Sequence, residues 1–515
     1  MVPRTQIPAR SVRRAACWLL LFVWPGLMVA SGAPRAVRPG EPYLSFPLDT
    51  MGFDPIQPRL LVGTATYNTL NFIDNTHILL TFKTHGLIPR VADAASQEDD
   101  RLITALLIEL PSGGVLARTT WHTRDKAQYL WPLSHGLFLV RIRSRLTVID
   151  PIRNLRTGDA FHEQNFLEID KPIGYISVSP GGDLLVVEAI NPPHPETDSD
   201  TGLGAPQVLH LNTEPTAEIH FFRMLFVSNA AEQPHLVAQA AGLASARSLI
   251  RVPATAEGFL DILKESNQTW LFDFQSHAGK RVELSPFDTT CAPSPYFVSR
   301  TEFVALGCRG SDTRLLFSGF NLRGEQPWIQ VLSGQQISPL IASAPDAGRF
   351  AFSRIVVSSS YLDDLNLVPE ELSGQEIQVI QHHDGRILLK VQALPIQRSG
   401  QNFDISPDGL SFTVIRNGNL DVYRLPELTP KDQSQIKLAA AANVEKNDAR
   451  IKLIPVRPNM PEKPVPSTPA EQVLTLNVPT AAPTPAANAG DVPSSDDGPR
   501  TPPSLYGPDY PKNPR

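Results

Sequence analysis

Short apolar runs recur through the middle of the chain, broken by turns rich in proline and glycine. The clearest pairs of runs occupy residues 175–187 and 403–414. In each, a β-rich run enters a Ser-Pro turn containing glycine and leaves it as a second β-rich run. Proline presets φ and glycine admits positive φ, so each copy predicts two strands joined by a tight turn. Weaker copies lie at 70–82, 130–140, 252–262, 291–308 and 340–352. A second half-unit, a strand, a hairpin turn and another strand, follows most of them, as at 106–116, 270–282 and 377–390. Asp384-Gly385 in the last of these is a type I′ hairpin signal. The final copy, 420–425, stops after one strand.

Four strands per unit, recurring every ~40–75 residues, is the pattern of β-propeller blades. A single unit cannot bury both of its faces, so the units must stack around an axis. Seven units are present, and the expected fold is all-β: a seven-bladed β-propeller over residues 43–428. A pair of β-sandwiches is the competing fold, and regular repetition favours the propeller. The last unit lacks its outermost strand. The chain between Tyr43 and Thr66 is expected to supply it, best through residues 60–66, closing the ring and removing an exposed edge.

The segments Ile405-Ser-Pro-Asp-Gly409 and Val178-Ser-Pro-Gly-Gly182 resemble the turns of WD-repeat-like and TolB-like bacterial propellers, in which Ser-Pro-Asp-Gly joins the two inner strands of a blade. The resemblance covers roughly residues 45–428, is specific in two blades and loose in the others. The Trp-Asp dipeptide and Gly-His pair of eukaryotic WD repeats are missing. What the resemblance implies is a fold, and a fold does not specify a function.

In an up-and-down blade all second strands run the same way, so every loop between second and third strands emerges on one face. Four of these loops are short and three are long, at about 83–102, 189–206 and 357–375. Long loops in a compact domain are usually functional or disordered. All three are acidic, with Asp93, Glu98, Asp99 and Asp100, then Glu196, Asp198 and Asp200, then Asp363, Asp364, Glu370 and Glu371. This face is the expected surface for a protein or extracellular ligand. Solvated decoration is the plainer reading of the same charges.

The N-terminus changes the picture of location. Arg4, Arg10, Arg13 and Arg14 precede an apolar run from Ala15 to Ala30 and a small-residue end. These are the parts of a secretory signal peptide over residues 1–33, cleaved near Ala33. Pro25 and Gly26 interrupt the run, which argues against a retained anchor and leaves no membrane span. Export to the periplasm or medium is the expectation. Cleavage removes one of three cysteines and leaves Cys291 and Cys308. An even pair in an exported chain suggests a disulfide. A two-residue turn at Ser299-Arg300 would place the two directly opposite, within disulfide reach. Two buried free thiols are the alternative.

Composition then separates the tail. Of 515 residues 49 are proline, too many for a mainly helical bundle, and 17 of the 49 fall in residues 429–515. That tail is expected to be mostly disordered, with residues 435–456 as its one candidate helix or loose strand. The net charge of −6 argues against a nucleic-acid partner. No Gly-x-Ser-x-Gly, phosphate-binding loop or His-Glu-x-x-His motif occurs. His382-His383 reads as an exposed hairpin tip whose two side chains point to opposite faces and cannot share a metal. Asp198-Ser-Asp-Thr-Gly202 is an incomplete calcium loop. His77 and His135, at strand-turn positions, read as structural. No catalytic residue, cofactor or metal ligand is assigned. The expected function is a monomeric binding scaffold. The alternative is a lactonase- or hydrolase-like propeller enzyme with a metal in its central channel.

Overall fold

A computed structural model describes residues 40–53, 60–61, 68–83, 101–123, 128–142, 145–191, 217–227, 235–246, 248–309, 315–332, 336–357, 372–397, 401–441 and 452–455. Seven antiparallel sheets follow one another along the chain, six of four strands and one, in blade 4, of six, and the protein is a seven-bladed β-propeller. Blade 1 spans residues 68–123, blade 2 130–168, blade 3 173–246 and blade 4 254–283. Blade 5 spans 294–332 and blade 6 336–393. Blade 7 takes three strands from 403–424 and its fourth from the start of the chain.

The Ser-Pro turns explain why these sequences fold as they do. In blade 7, Ser406 Oγ donates to Asp408 Oδ1 (2.6 Å) and accepts from the Ser411 amide (2.9 Å). Gly409 closes the turn at φ +69°, its amide donating to the Ser406 carbonyl (2.7 Å). Only glycine adopts that φ without cost. Blade 3 repeats the device: Ser179 Oγ donates to Asp183 Oδ1 (2.6 Å) and accepts from the Leu184 amide (2.9 Å). The repeated motif is therefore a side-chain-locked hairpin between first and second strands.

The central strands are apolar on both faces. Arg349–Val357 is buried along nearly its whole length, and Leu184–Ile190 along all but its last residue. Each sheet buries those two faces against the sheets before and after it, and one hydrophobic cluster fills each seam. Leu80, Phe82, Leu106, Leu420 and Val422 join blades 1 and 7, for example. Phe272, Phe274, Phe303 and Phe320 join blades 4 and 5. Phe272 lies edge-on to both Phe303 and Phe320, with centroids 5.1 and 5.2 Å away.

The ring closes as expected, but through a different segment. Leu44–Pro47 pairs antiparallel with the third strand of blade 7, Leu44 opposite Val422 and Pro47 opposite Asn419. Leu60–Leu61, the expected donor, instead pairs in parallel with Ile396–Gln397. Proline at position 47 ends the closing strand after four residues, too few to show a period-two signal.

After blade 7 the chain forms a helix, Pro430–Ala441, inside the region read as tail. Thr429 and Asp432 cap it reciprocally: the Thr429 amide donates to Asp432 Oδ2 (2.9 Å) and the Asp432 amide to Thr429 Oγ1 (3.2 Å). Lys452–Pro455 adds a strand beside Lys280–Glu283 of blade 4. No helix among the described residues is long and apolar enough to cross a membrane.

Asp404 sits at the blade 7–blade 1 seam, 9% exposed, with Oδ2 accepting from the Phe72 amide (2.6 Å). Burial pushes its pKa up to about 7. A carboxyl group raised in the folded state contributes stability that is complete below its unfolded pKa and is lost as pH climbs through about 7. Asp404→Asn should therefore stabilise the ring by roughly 1–3 kcal/mol at pH 8.5 and change little at pH 4. Denaturant unfolding of both proteins across that range checks the sign.

Candidate functional site

In this topology the loops from second to third strand share a face with the links between successive blades. Three of these seven connections, in blades 1, 3 and 6, run through residues 84–100, 192–216 and 358–371, which lie outside the described residues. The described third strand of blade 3 is Ala217–Val227. The acidic residues Asp93, Asp99, Asp100, Asp198, Asp200, Asp363 and Asp364 all lie outside the described residues.

The described part of this face centres on Arg251, in the link between blades 3 and 4. Behind it is Glu188, fully buried on the second strand of blade 3. Its carboxyl group accepts from the Ile250 amide and from the Val252 amide, each at 2.9 Å. Two amides that flank one residue, both drawn to one carboxyl group, push that residue outward. Arg251 accordingly has φ +53° and is exposed, while Val252 is buried. A left-handed conformation costs a non-glycine residue about 1–2 kcal/mol, and persists only where the surroundings impose it.

Arg251 extends over the Tyr175 ring, with its guanidinium carbon 5.5 Å from the centroid. Tyr175 and Tyr296, on the first strands of blades 3 and 5, lie within electrostatic range of Arg251 and of each other. Burial raises both phenol pKa values, so both hydroxyls keep their protons. No carboxylate of a described residue pairs with Arg251. Beside it Leu249 and Ile190 meet over Gly174, where a β-carbon would come within 2.7 Å of Leu249 and 3.0 Å of Ile190. Ile190, Leu249 and Ile250 are 38%, 39% and 53% exposed. The result is a fixed cation, two phenols and an aliphatic strip in one place. Sequence reading missed it, although Glu188 in the otherwise apolar run Leu184–Ile190 was a visible signal.

Two further features brace this face. Lys171 Nζ donates to Asn191 Oδ1 (2.8 Å) and to Glu218 Oε1 (2.5 Å), tying together the two ends of the 191–216 loop. Lys171 holds the Glu218 pKa below its usual value. Cys291 and Cys308 form the expected disulfide, with Cα atoms 5.4 Å apart. The register is one residue off the expected one. Tyr296 faces Val304 and Phe297 faces Phe303, and the strand begins only at Ser294. Cys291 therefore bridges from the preceding loop.

On the opposite face the Pro430–Ala441 helix lies across blades 5 and 6. Thr301 Oγ1 donates to the Ala439 carbonyl (3.0 Å), and Ile436 packs over Gly348. The reading of His382-His383 as an exposed tip is overturned: His382 packs between blades 5 and 6 against Trp328 and Phe350, and His383 meets the helix. His382 is 1% exposed, with Nδ1 3.0 Å from Glu302 Oε1. His383 Nε2 lies 3.4 Å from Asp432 on the helix and 3.4 Å from Asp384. The two rings do face different carboxylates. His383, Asp384 and Asp432 are the one group of three potential metal ligands among the described residues. Arg386 supplies a positive charge there, with Nη2 3.1 Å from Asp432 Oδ1. Two clefts also open on this side, one near Asp150, Arg153, Phe226 and His235, the other near Asp74, His135 and Pro407. His135 lies 5.0 Å from the Phe226 ring, and His77 is bonded to Asp74 at 2.9 Å.

No protein-family model and no curated protein matches the sequence. Solved structures similar to it include the β-propeller domain of Myceliophthora thermophila Cps50 (Swd1). The identity is 9%, covering 71% of this chain and 99% of that one, with a TM-score of 0.32. An acylaminoacyl peptidase of Pyrococcus horikoshii is similar at 10% identity, over 72% of this chain and 54% of its own length, with a TM-score of 0.39. A chain of the mitotic checkpoint complex is similar at 10% identity, over 67% of this chain and 100% of that one, with a TM-score of 0.27.

Arg251→Gly relieves the backbone and should raise stability by about 0.5–1 kcal/mol. Glu188→Ala leaves two amides without their acceptor and should lower it by about 2–4 kcal/mol. Opposite signs in denaturant titrations are the check. The Cys291→Ser/Cys308→Ser double variant, opening a loop of 17 residues, should lose about 3 kcal/mol against the oxidised protein. Urea midpoints read that loss.

Proposed function

We propose that the chain is an exported β-propeller that binds a protein partner through its long-loop face. The observation that carries this reading is Arg251, an exposed residue held in a costly backbone conformation by a fully buried carboxyl group. Nothing in the fold needs an arginine there, since glycine would satisfy the same turn more cheaply. Strain maintained by a buried hydrogen-bonded group is the physical mark of a functional position. An arginine with tyrosines and aliphatics around it also has the composition of an interface hot spot.

The long loops would surround this centre as an acidic rim, through residues such as Asp99, Asp198 and Asp363. Rim charges set association rate and orientation more than affinity. The disulfide and the basic-apolar N-terminus support an oxidising location, periplasmic or extracellular, and a bacterial WD-repeat-like or TolB-like origin fits both. The protein would act as a monomer, with no membrane span once residues 1–33 are removed.

Site-specific photo-crosslinking in the native host tests the face directly. A crosslinker at Ile250 should trap one discrete protein species, and a crosslinker at Ser112, on the turn face, should trap none. Adduct from Ser112 alone, or from neither position, would overturn the reading. The mature N-terminus, determined on the same protein, should begin near residue 34, in the exported fraction.

A further inference from the structure

Resting on that reading of the long-loop face, we propose that Arg251 is the receptor for an aspartate or glutamate side chain. A partner protein would present that side chain in an extended segment next to aliphatic residues. Guanidinium and carboxylate match as a two-bond fork, which makes such a pair both strong and oriented. Arg251 is free to make it, because no described carboxylate already does. Its direction is fixed in advance: the two bonds to Glu188 set the backbone and the Tyr175 ring supports the side chain. A preorganised cation loses little entropy on binding. Lys171 is different, being satisfied within the chain by Asn191 and Glu218.

The surroundings specify the rest of the ligand. The Tyr175 ring beneath the guanidinium adds an aromatic surface beside the cation. Ile190, Leu249 and Ile250 form an exposed strip that water covers at a cost. The acid is thus expected with Leu, Ile, Val or Phe within a residue or two. Arg251, Ile190, Leu249 and Ile250 are all exposed, and the two described clefts open on the other face. Exposed side chains outside a cleft fit a polypeptide segment rather than an enclosed small molecule.

Selection of peptides against the purified, disulfide-bonded full chain tests the chemistry. A phage library of random dodecapeptides, displayed internally so that no free C-terminus is offered, is panned on the wild type. Arg251→Gly serves as counter-selection, and Arg251→Lys as a second variant that keeps the charge and loses the fork. Melting temperatures establish that both variants are folded. The expected result is a family carrying Asp or Glu flanked by aliphatics. Synthetic copies should bind Arg251→Gly about tenfold more weakly, and Arg251→Lys with intermediate affinity. Changing the acid to its amide should cost the same on wild type and nothing more on Arg251→Gly, as a direct pair requires. A family that depends on Arg251 but contains no acid would overturn this chemistry and leave the face standing. Peptides indifferent to both Arg251 variants, or no enriched family at all, would overturn both.

Discussion

A sheet whose central strands are apolar on both faces cannot be stable by itself, and this protein contains seven of them. Each must find a neighbour on either side, and a closed ring is the arrangement in which none is left uncovered. The seam clusters are the direct expression of that constraint, with phenylalanines interleaved edge to face at blades 4, 5 and 6. Polar groups drawn into the seams are held by specific bonds. Arg349, 1% exposed, donates from Nε to Gln381 (2.9 Å) and from Nη1 to the Gly409 carbonyl (2.6 Å), linking blade 6 to the first turn of blade 7. Gln375, Gln397 and Asn402 form a buried amide network where blades 6 and 7 meet.

The two ends of the ring have been given opposite treatment. On the turn face a capped helix lies across blades 5 and 6. It engages Asp432 with Arg386 and His383, and Thr301 with its own last turn. Burial opposes ionisation of Asp432, but its bonds to Thr429 and the charges of Arg386 and His383 prevail, and its pKa falls below the usual value. On the long-loop face, buried groups are used to hold side chains outward. Glu188 and Arg251 show the contrast in its simplest form, one carboxyl group fully inside and one guanidinium outside, connected through two backbone amides.

The blades were legible because their turns carry local chemistry. In blades 3 and 7 the Ser-Pro turn writes its conformation in four adjacent residues, and the recurrence of paired strands carries the blade count through the others. The closing strand was located only to a region, since Leu44–Pro47 is too short for periodicity to mark it. The cysteine pair was right and its register was off by one, because the turn at 298–302 runs longer than two residues, with the Val298 amide bonded to the Glu302 carbonyl. His382-His383 looked exposed for a different reason: His382 packs into the seam between blades 5 and 6, and the helix that meets His383 comes from a distant, proline-rich part of the chain. The Arg251 site is non-local in the same way, as Glu188 and Val252 are 64 residues apart. What sequence showed was a carboxylate in an apolar strand. What it could not show was which amides that carboxylate would reach.

The closing strand also imposes an order on assembly. Ser45 and Asp421, hydrogen-bonded across the closing strand pair of blade 7, are separated by 376 residues of chain. The earliest of the described strands thus waits unpaired until blade 7 has been made. Loop-closure entropy grows only slowly with length, so the contact costs little more than a shorter one once formed. Its cost is kinetic, because non-local β pairing is slow and leaves an open edge meanwhile. The proline that limits this strand to four residues makes it a poor template for pairing with other chains during that interval.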